Sequence, residues 1–132
     1  MEHLLFDRRA KLVCAALWFV AWLVATGALL LPLGVSTPDR SDLLAHFMLF
    51  ASLAFGTIGF SRRAGQLTCL ALVTMALATT LEFAQKLVPY RTFDPIDLVA
   101  NGLGALTGYA AALLILFVLI RPAELRWTGA AP

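Results

Sequence analysis

The chain has 132 residues, of which 61% are hydrophobic and only 14% charged, whereas soluble domains average about 45–50% apolar and about 25% charged. A short soluble chain has a high surface-to-volume ratio and needs more polar surface, not less, so the excess apolar surface must face lipid. The small net charge of +2 and the lack of a basic stripe interleaved with aromatics exclude a nucleic-acid partner.

A helix that crosses a hydrocarbon core of about 30 Å needs about 20 mostly apolar residues. The first such segment runs from about Leu12 to Leu33, closed by Pro32 and Gly34. Arg8, Arg9 and Lys11 precede it, as basic residues precede a signal peptide. Its apolar run exceeds the roughly 7–15 residues of a signal core, so it reads as a retained anchor. The second segment runs from about Leu43 to Phe60 and ends at Ser61-Arg62-Arg63. The third runs from about Leu67 to Val88, ending at Pro89, and the fourth from about Asp97 to Ile120, ending at Arg121-Pro122. The expected protein is all-α and polytopic: a single membrane domain over residues 1–132, with four transmembrane helices in an antiparallel bundle.

Basic residues in short loops favour the cytoplasmic side. Arg8, Arg9, Lys11, Arg62, Arg63, Arg121 and Arg126 fall on one side of the bundle, against Arg40, Lys86 and Arg91 on the other, which predicts both termini inside (N-in/C-in). Asp39, Asp42, Glu82, Asp94 and Asp97 then gather at the outer side, and Glu2, Asp7 and Glu124 remain inside.

Three spacings organise the outer polar residues. Asp42 and His46 lie four apart at the start of the second helix, so both occupy one face. Glu82 and Gln85 lie three apart near the end of the third, and Asp97 and Asn101 four apart at the start of the fourth. Antiparallel neighbours joined by short loops bring these ends to one membrane depth, so the six should converge, with Arg91 from the connecting loop near enough to pair with an acid. Glu82 lies about two turns from Pro89 and should be submerged. A charged side chain costs roughly 2.5–3.5 kcal/mol at the membrane centre and less near the ends, so an ionisable group there is a functional candidate. The plainer alternatives are that Ser41 or Asp42 caps its helix, that both aspartates complement helix dipoles, and that His46 is a satisfied neutral histidine.

Cys14 and Cys69 sit in apolar stretches without a CxxC pair and read as small hydrophobes. Ala100, Gly104, Gly108 and Ala112 form a small-residue stripe that lets helix backbones approach closely. It reads as a seam against another helix of the bundle, with a homodimer face as the lesser alternative. Trp18 and Trp22 share one face and read as packing or lipid contacts.

In order along the chain, Asp42-Leu-Leu-Ala-His46-Phe47, then Glu82-Phe-Ala-Gln85 with Pro89-Tyr90-Arg91, then Asp97, Asn101, Gly104 and Gly108 resemble the signatures of the VanZ-like membrane proteins. That family takes its name from an accessory protein of glycopeptide-antibiotic resistance clusters. The resemblance covers roughly Asp42 to Gly108 and implies a multi-pass protein of the bacterial cytoplasmic membrane acting at the cell envelope, in a family linked to low-level teicoplanin resistance. It supplies no reaction. This chain departs from the pattern at Leu43, where the family often has lysine, and Arg40 is the nearest substitute.

The leading expectation is an outer-face site formed by Asp42, His46, Glu82, Gln85, Arg91, Asp97 and Asn101 that recognises a lipid-linked or peptidoglycan-related ligand. His46 would be oriented by Asp42, and Arg91 would hold an anionic group. His46, Glu82 and Asp97 are the candidate acid–base residues, but no serine or cysteine nucleophile accompanies them, so catalysis is not favoured. One histidine with carboxylates is an unspecific metal pattern, and neither metal nor cofactor is assigned. The expected partners are membrane lipid and a lipid-linked envelope precursor. The alternative is a small structural or assembly subunit that packs against a larger membrane protein or a second copy, its polar cluster serving as interhelical glue. Transport is a weaker third option.

Overall fold

The computed structural model describes residues 2–31, 41–89 and 93–120. All four expected spans are helices: α1 (Glu2–Leu30), α2 (Ser41–Gly56), α3 (Ala64–Gln85) and α4 (Pro95–Ile115). A 3-10 turn, Thr57–Gly59, prolongs α2, and a π turn, Leu116–Ile120, prolongs α4. Each helix is long and apolar enough to cross a membrane.

The ends differ from the sequence expectation for local reasons. Helix α1 starts well before Leu12, because charged residues continue a helix outside lipid as readily as apolar ones. Lys11 pairs with Asp7 one turn earlier, which supports that extension. Helix α4 starts at Pro95 rather than Asp97 because Asp94 caps it: the Asp94 carboxylate accepts from the Ile96 amide at 2.8 Å, and Pro95 fills the first turn. Asp94→Ala should therefore lower stability by about 1 kcal/mol while Asp94→Ser loses little. Unfolding of the purified protein in mixed micelles measures this, and equal losses for both variants would exclude a capping role.

The topology follows from a few contacts. The Trp18 indole N–H donates to the Leu53 carbonyl at 2.7 Å, Trp18 meets Phe60 and Trp22 meets Phe50, so α1 runs antiparallel to α2. Helix α3 is antiparallel to α4: Thr68 meets Tyr109 at 2.6 Å near one end, and Glu82 meets the start of α4 at the other. Helices α2 and α4 consequently run parallel, and they form the most extensive interface of the fold.

That interface is built on absent side chains. A Cβ on Gly104 would collide with the Phe47 carbonyl, and one on Gly108 with the Ala51 carbonyl, one turn further along α2. The two backbones therefore touch, as small-residue stripes permit in membranes. The stripe is a seam within the chain, and its partner is α2.

Burial runs opposite to a soluble domain. Leu12, Leu17, Phe19, Leu23, Leu44, Leu72, Leu103 and Leu114 point outward, which lipid rewards and water does not. Trp22, Leu29, Phe50, Leu53 and Ala78 pack one core cluster; Leu67, Ala112 and Leu116 pack a second towards the other end. Between and above them the interior carries His46, Thr57, Thr74, Glu82, Gln85 and Asn101. The outward hydroxyls of Thr68, Thr80 and Thr107 each donate to the carbonyl four residues earlier and so meet lipid already bonded.

Candidate functional site

The polar site lies at the bundle end where α2 and α4 begin and α3 finishes. Asp42 occupies the first turn of α2, and the helical repeat carries His46 one turn inward, where it is 3% exposed. From α4, Asn101 projects to the same depth and is 1% exposed. The parallel α2–α4 seam sets this meeting, because Phe47, next to His46, is the residue whose carbonyl touches Gly104.

Asn101 fixes the chemistry of its neighbours. Its Oδ1 lies 2.9 Å from His46 Nδ1, and the same side chain neighbours Glu82. With the amide oxygen turned to His46, the N–H₂ of Asn101 is left for the Glu82 side. The carbonyl in turn requires a proton on His46 Nδ1. The lone pair of the neutral ring is then on Nε2, which faces Asp42 at 3.9 Å, beyond hydrogen-bond reach.

Glu82 is 1% exposed. It accepts a long bond from the Asp94 amide, 3.4 Å, and no lysine or arginine among the described residues pairs with it. Asp97 stands nearby on α4. Asp42, His46 and Asp97 each present a ligand-type atom, and these atoms lie within 4.8 Å of one another.

Of the residues picked out in the sequence, Asp42, His46, Glu82, Asp97 and Asn101 come together. Gln85 is buried at the same end but turns to α1, its amide donating to the Leu29 carbonyl at 3.5 Å; it ties α1 to α3 beside the cluster. Arg91 and Arg40 lie outside the described residues. Leu43, in the place of the family's lysine, is half-buried and apolar. Lys86 has its ammonium over the rings of Phe93 at 4.1 Å and Phe83 at 5.0 Å, which stack on each other. That arrangement holds the α3–α4 turn by cation–π attraction. Asp94 is not legible in the sequence as a site residue, although the Asp-Pro pair is a helix-start signal. It contributes through its backbone amide to Glu82 and its cap on α4.

The fold and this one-ended interior define a polytopic four-helix membrane protein with a buried polar cluster. The chain matches the VanZ/LLP1 family model over residues 5–118 and belongs to that family. No curated protein and no solved structure matches it.

Proposed function

We propose that the cluster is a ligand site on the outer face of the bacterial cytoplasmic membrane, where the protein recognises a lipid-linked or peptidoglycan-related envelope precursor. The observation that carries this reading is Glu82. It is a carboxylate 1% exposed at the meeting point of three membrane helices, with a histidine and an asparagine beside it and no basic partner among the described residues. Helix packing gains little from such a group, since interhelical hydrogen bonds in membranes average about 0.6 kcal/mol. A buried acid beside an imidazole suits instead the amide, hydroxyl and ammonium groups that envelope precursors carry. Outward orientation is supported by Arg8, Arg9 and Lys11 before the span of α1 and Arg62 and Arg63 before α3, which all lie at the opposite end and favour the cytoplasm. Arg91 is the candidate anchor for an anionic portion of the ligand. The family's association with glycopeptide resistance fits a protein that binds envelope material, and the reading is one of binding rather than turnover.

Native mass spectrometry of the purified protein tests it, comparing wild type with His46→Ala and Glu82→Gln. A lipid or lipid-linked species should co-purify with wild type and fall on the order of tenfold in either variant, the loss expected for removing one charge-assisted bond of about 1.5 kcal/mol or more. If nothing specific binds wild type and both variants fold unchanged, the cluster is interhelical glue and the protein an assembly subunit.

A further inference from the structure

We propose that Asp42, His46 and Asp97 bind a divalent transition-metal cation of the manganese or zinc class. The sequence alone left one histidine and scattered carboxylates without this assignment. The fold changes that by placing a ligand atom from each residue within 4.8 Å of the other two, across the parallel start of two helices.

The decisive residue is His46. It is 3% exposed, its Nδ1 lies 2.9 Å from the Asn101 side-chain oxygen, and its Nε2 lies 3.9 Å from an Asp42 carboxylate oxygen. With Nδ1 on Asn101, Nε2 is the ring nitrogen left to face the carboxylates, and a donor atom of Asp42 and one of Asp97 lie within 4.8 Å of the imidazole donor and of each other. Metal-binding histidines characteristically donate their other ring N–H to a carbonyl or carboxylate, which locks the tautomer and the ring plane, and Asn101 does this for His46.

The donor set also selects the ion. One imidazole and two carboxylates without a thiolate suit zinc, manganese or iron(II) and do not suit copper(I). Bonds to such ions are about 2.0–2.2 Å long, which places neighbouring donors about 3 Å apart. Closing the site therefore needs shifts of roughly 1–2 Å between donors. Asp42 can make such a shift, because its side chain is 44% exposed. The charge balance favours the ion as well. Asp42 and Asp97 bring two carboxylates to within 4.8 Å of each other beside one imidazole. A dication beside Asp42 and Asp97 offsets that repulsion and leaves coordination positions open.

Cation binding does not depend on the envelope ligand proposed above and is measured without it. The full chain, purified in detergent and stripped with chelator, is titrated with Mn2+ alone and followed by electron paramagnetic resonance. Wild type should take up a single Mn2+ with nitrogen couplings from His46. Asp42→Asn and Asp97→Asn should each weaken binding on the order of tenfold or more, and His46→Gln should remove the nitrogen coupling. Asp42→Asn is the variant expected to keep the fold whatever the buried ones do, since its side chain is partly exposed and the change is isosteric. Folded wild type that takes up no Mn2+, or uptake that lacks nitrogen coupling and is unchanged in Asp42→Asn, overturns the site. Native mass spectrometry of the same samples separates the two proposals: lipid retained without cation binding defeats only the cation site, and cation binding without lipid defeats only the envelope ligand.

Discussion

Gly108→Ala should separate α2 from α4 and lower stability by about 3 kcal/mol, at or beyond the upper end of what overpacking costs in well-packed cores. The obstacle is the Ala51 carbonyl and the Phe55 amide of a facing helix, and a backbone cannot rotate aside as a side chain can. Gly104→Ala meets the Phe47 carbonyl in the same way and should behave alike. Gly102→Ala is the internal control, because a methyl there meets only the end of Met75 at 3.9 Å. Alanine is a better helix former than glycine by roughly 0.8–1 kcal/mol, so this variant should be neutral or slightly stabilising. Unfolding by detergent titration, monitored by circular dichroism, measures all three. Similar values for Gly102→Ala and Gly108→Ala would show that the seam is not closed in the membrane. Gly104→Ala should also impair the polar site, since the contact it breaks sets the height of His46 against Asn101.

Asn101→Leu should be nearly as damaging for a different reason. The bonds themselves are modest, about 0.6 kcal/mol apiece in membrane proteins. What matters is the state left behind: His46 Nδ1–H loses its acceptor, and Glu82 keeps, among the described residues, the long bond from Asp94. A buried polar group left unsatisfied costs about 1–3 kcal/mol, and more when charged, so the expected loss is about 3 kcal/mol. Combining Asn101→Leu with Glu82→Leu should recover part of it, because two apolar groups in contact leave nothing unpaired. A double-mutant cycle measures that coupling. Strict additivity would mean that Asn101 and Glu82 do not act as a unit and would dissolve the cluster described here.

The sequence made the spans and the convergence legible because both rest on local rules. Apolar length fixes a crossing, and spacings of three or four fix a face, so Asp42 with His46, Glu82 with Gln85 and Asp97 with Asn101 were readable as pairs. Short connections then bring helix ends to one depth. Partner choice was not legible. The stripe at Gly104 and Gly108 declares a close contact but does not say with which helix, and the answer, Phe47 and Ala51 of α2, depends on the packing of the whole chain. For the same reason Gln85 shared a face with Glu82 yet bonds α1 instead of the cluster. The tautomer of His46 was beyond sequence reasoning altogether, because it is set by which end of the Asn101 amide faces Glu82.

The parallel pairing of α2 with α4 has a consequence for how the protein is made. His46 and its acceptor Asn101 are 55 residues apart in the chain, which at about 5–20 residues per second is roughly 3–11 s of translation. Throughout that interval α2 is in place without the helix that closes against it, and a polar imidazole sits beside an open glycine-sized groove. The nascent chain must wait at the insertion machinery, or in the company of water and lipid headgroups, until the fourth helix arrives. A ribosome stalled before α4 emerges should therefore hold a chain whose α2 remains close to the translocation channel, and its release should coincide with the appearance of Gly104 and Gly108.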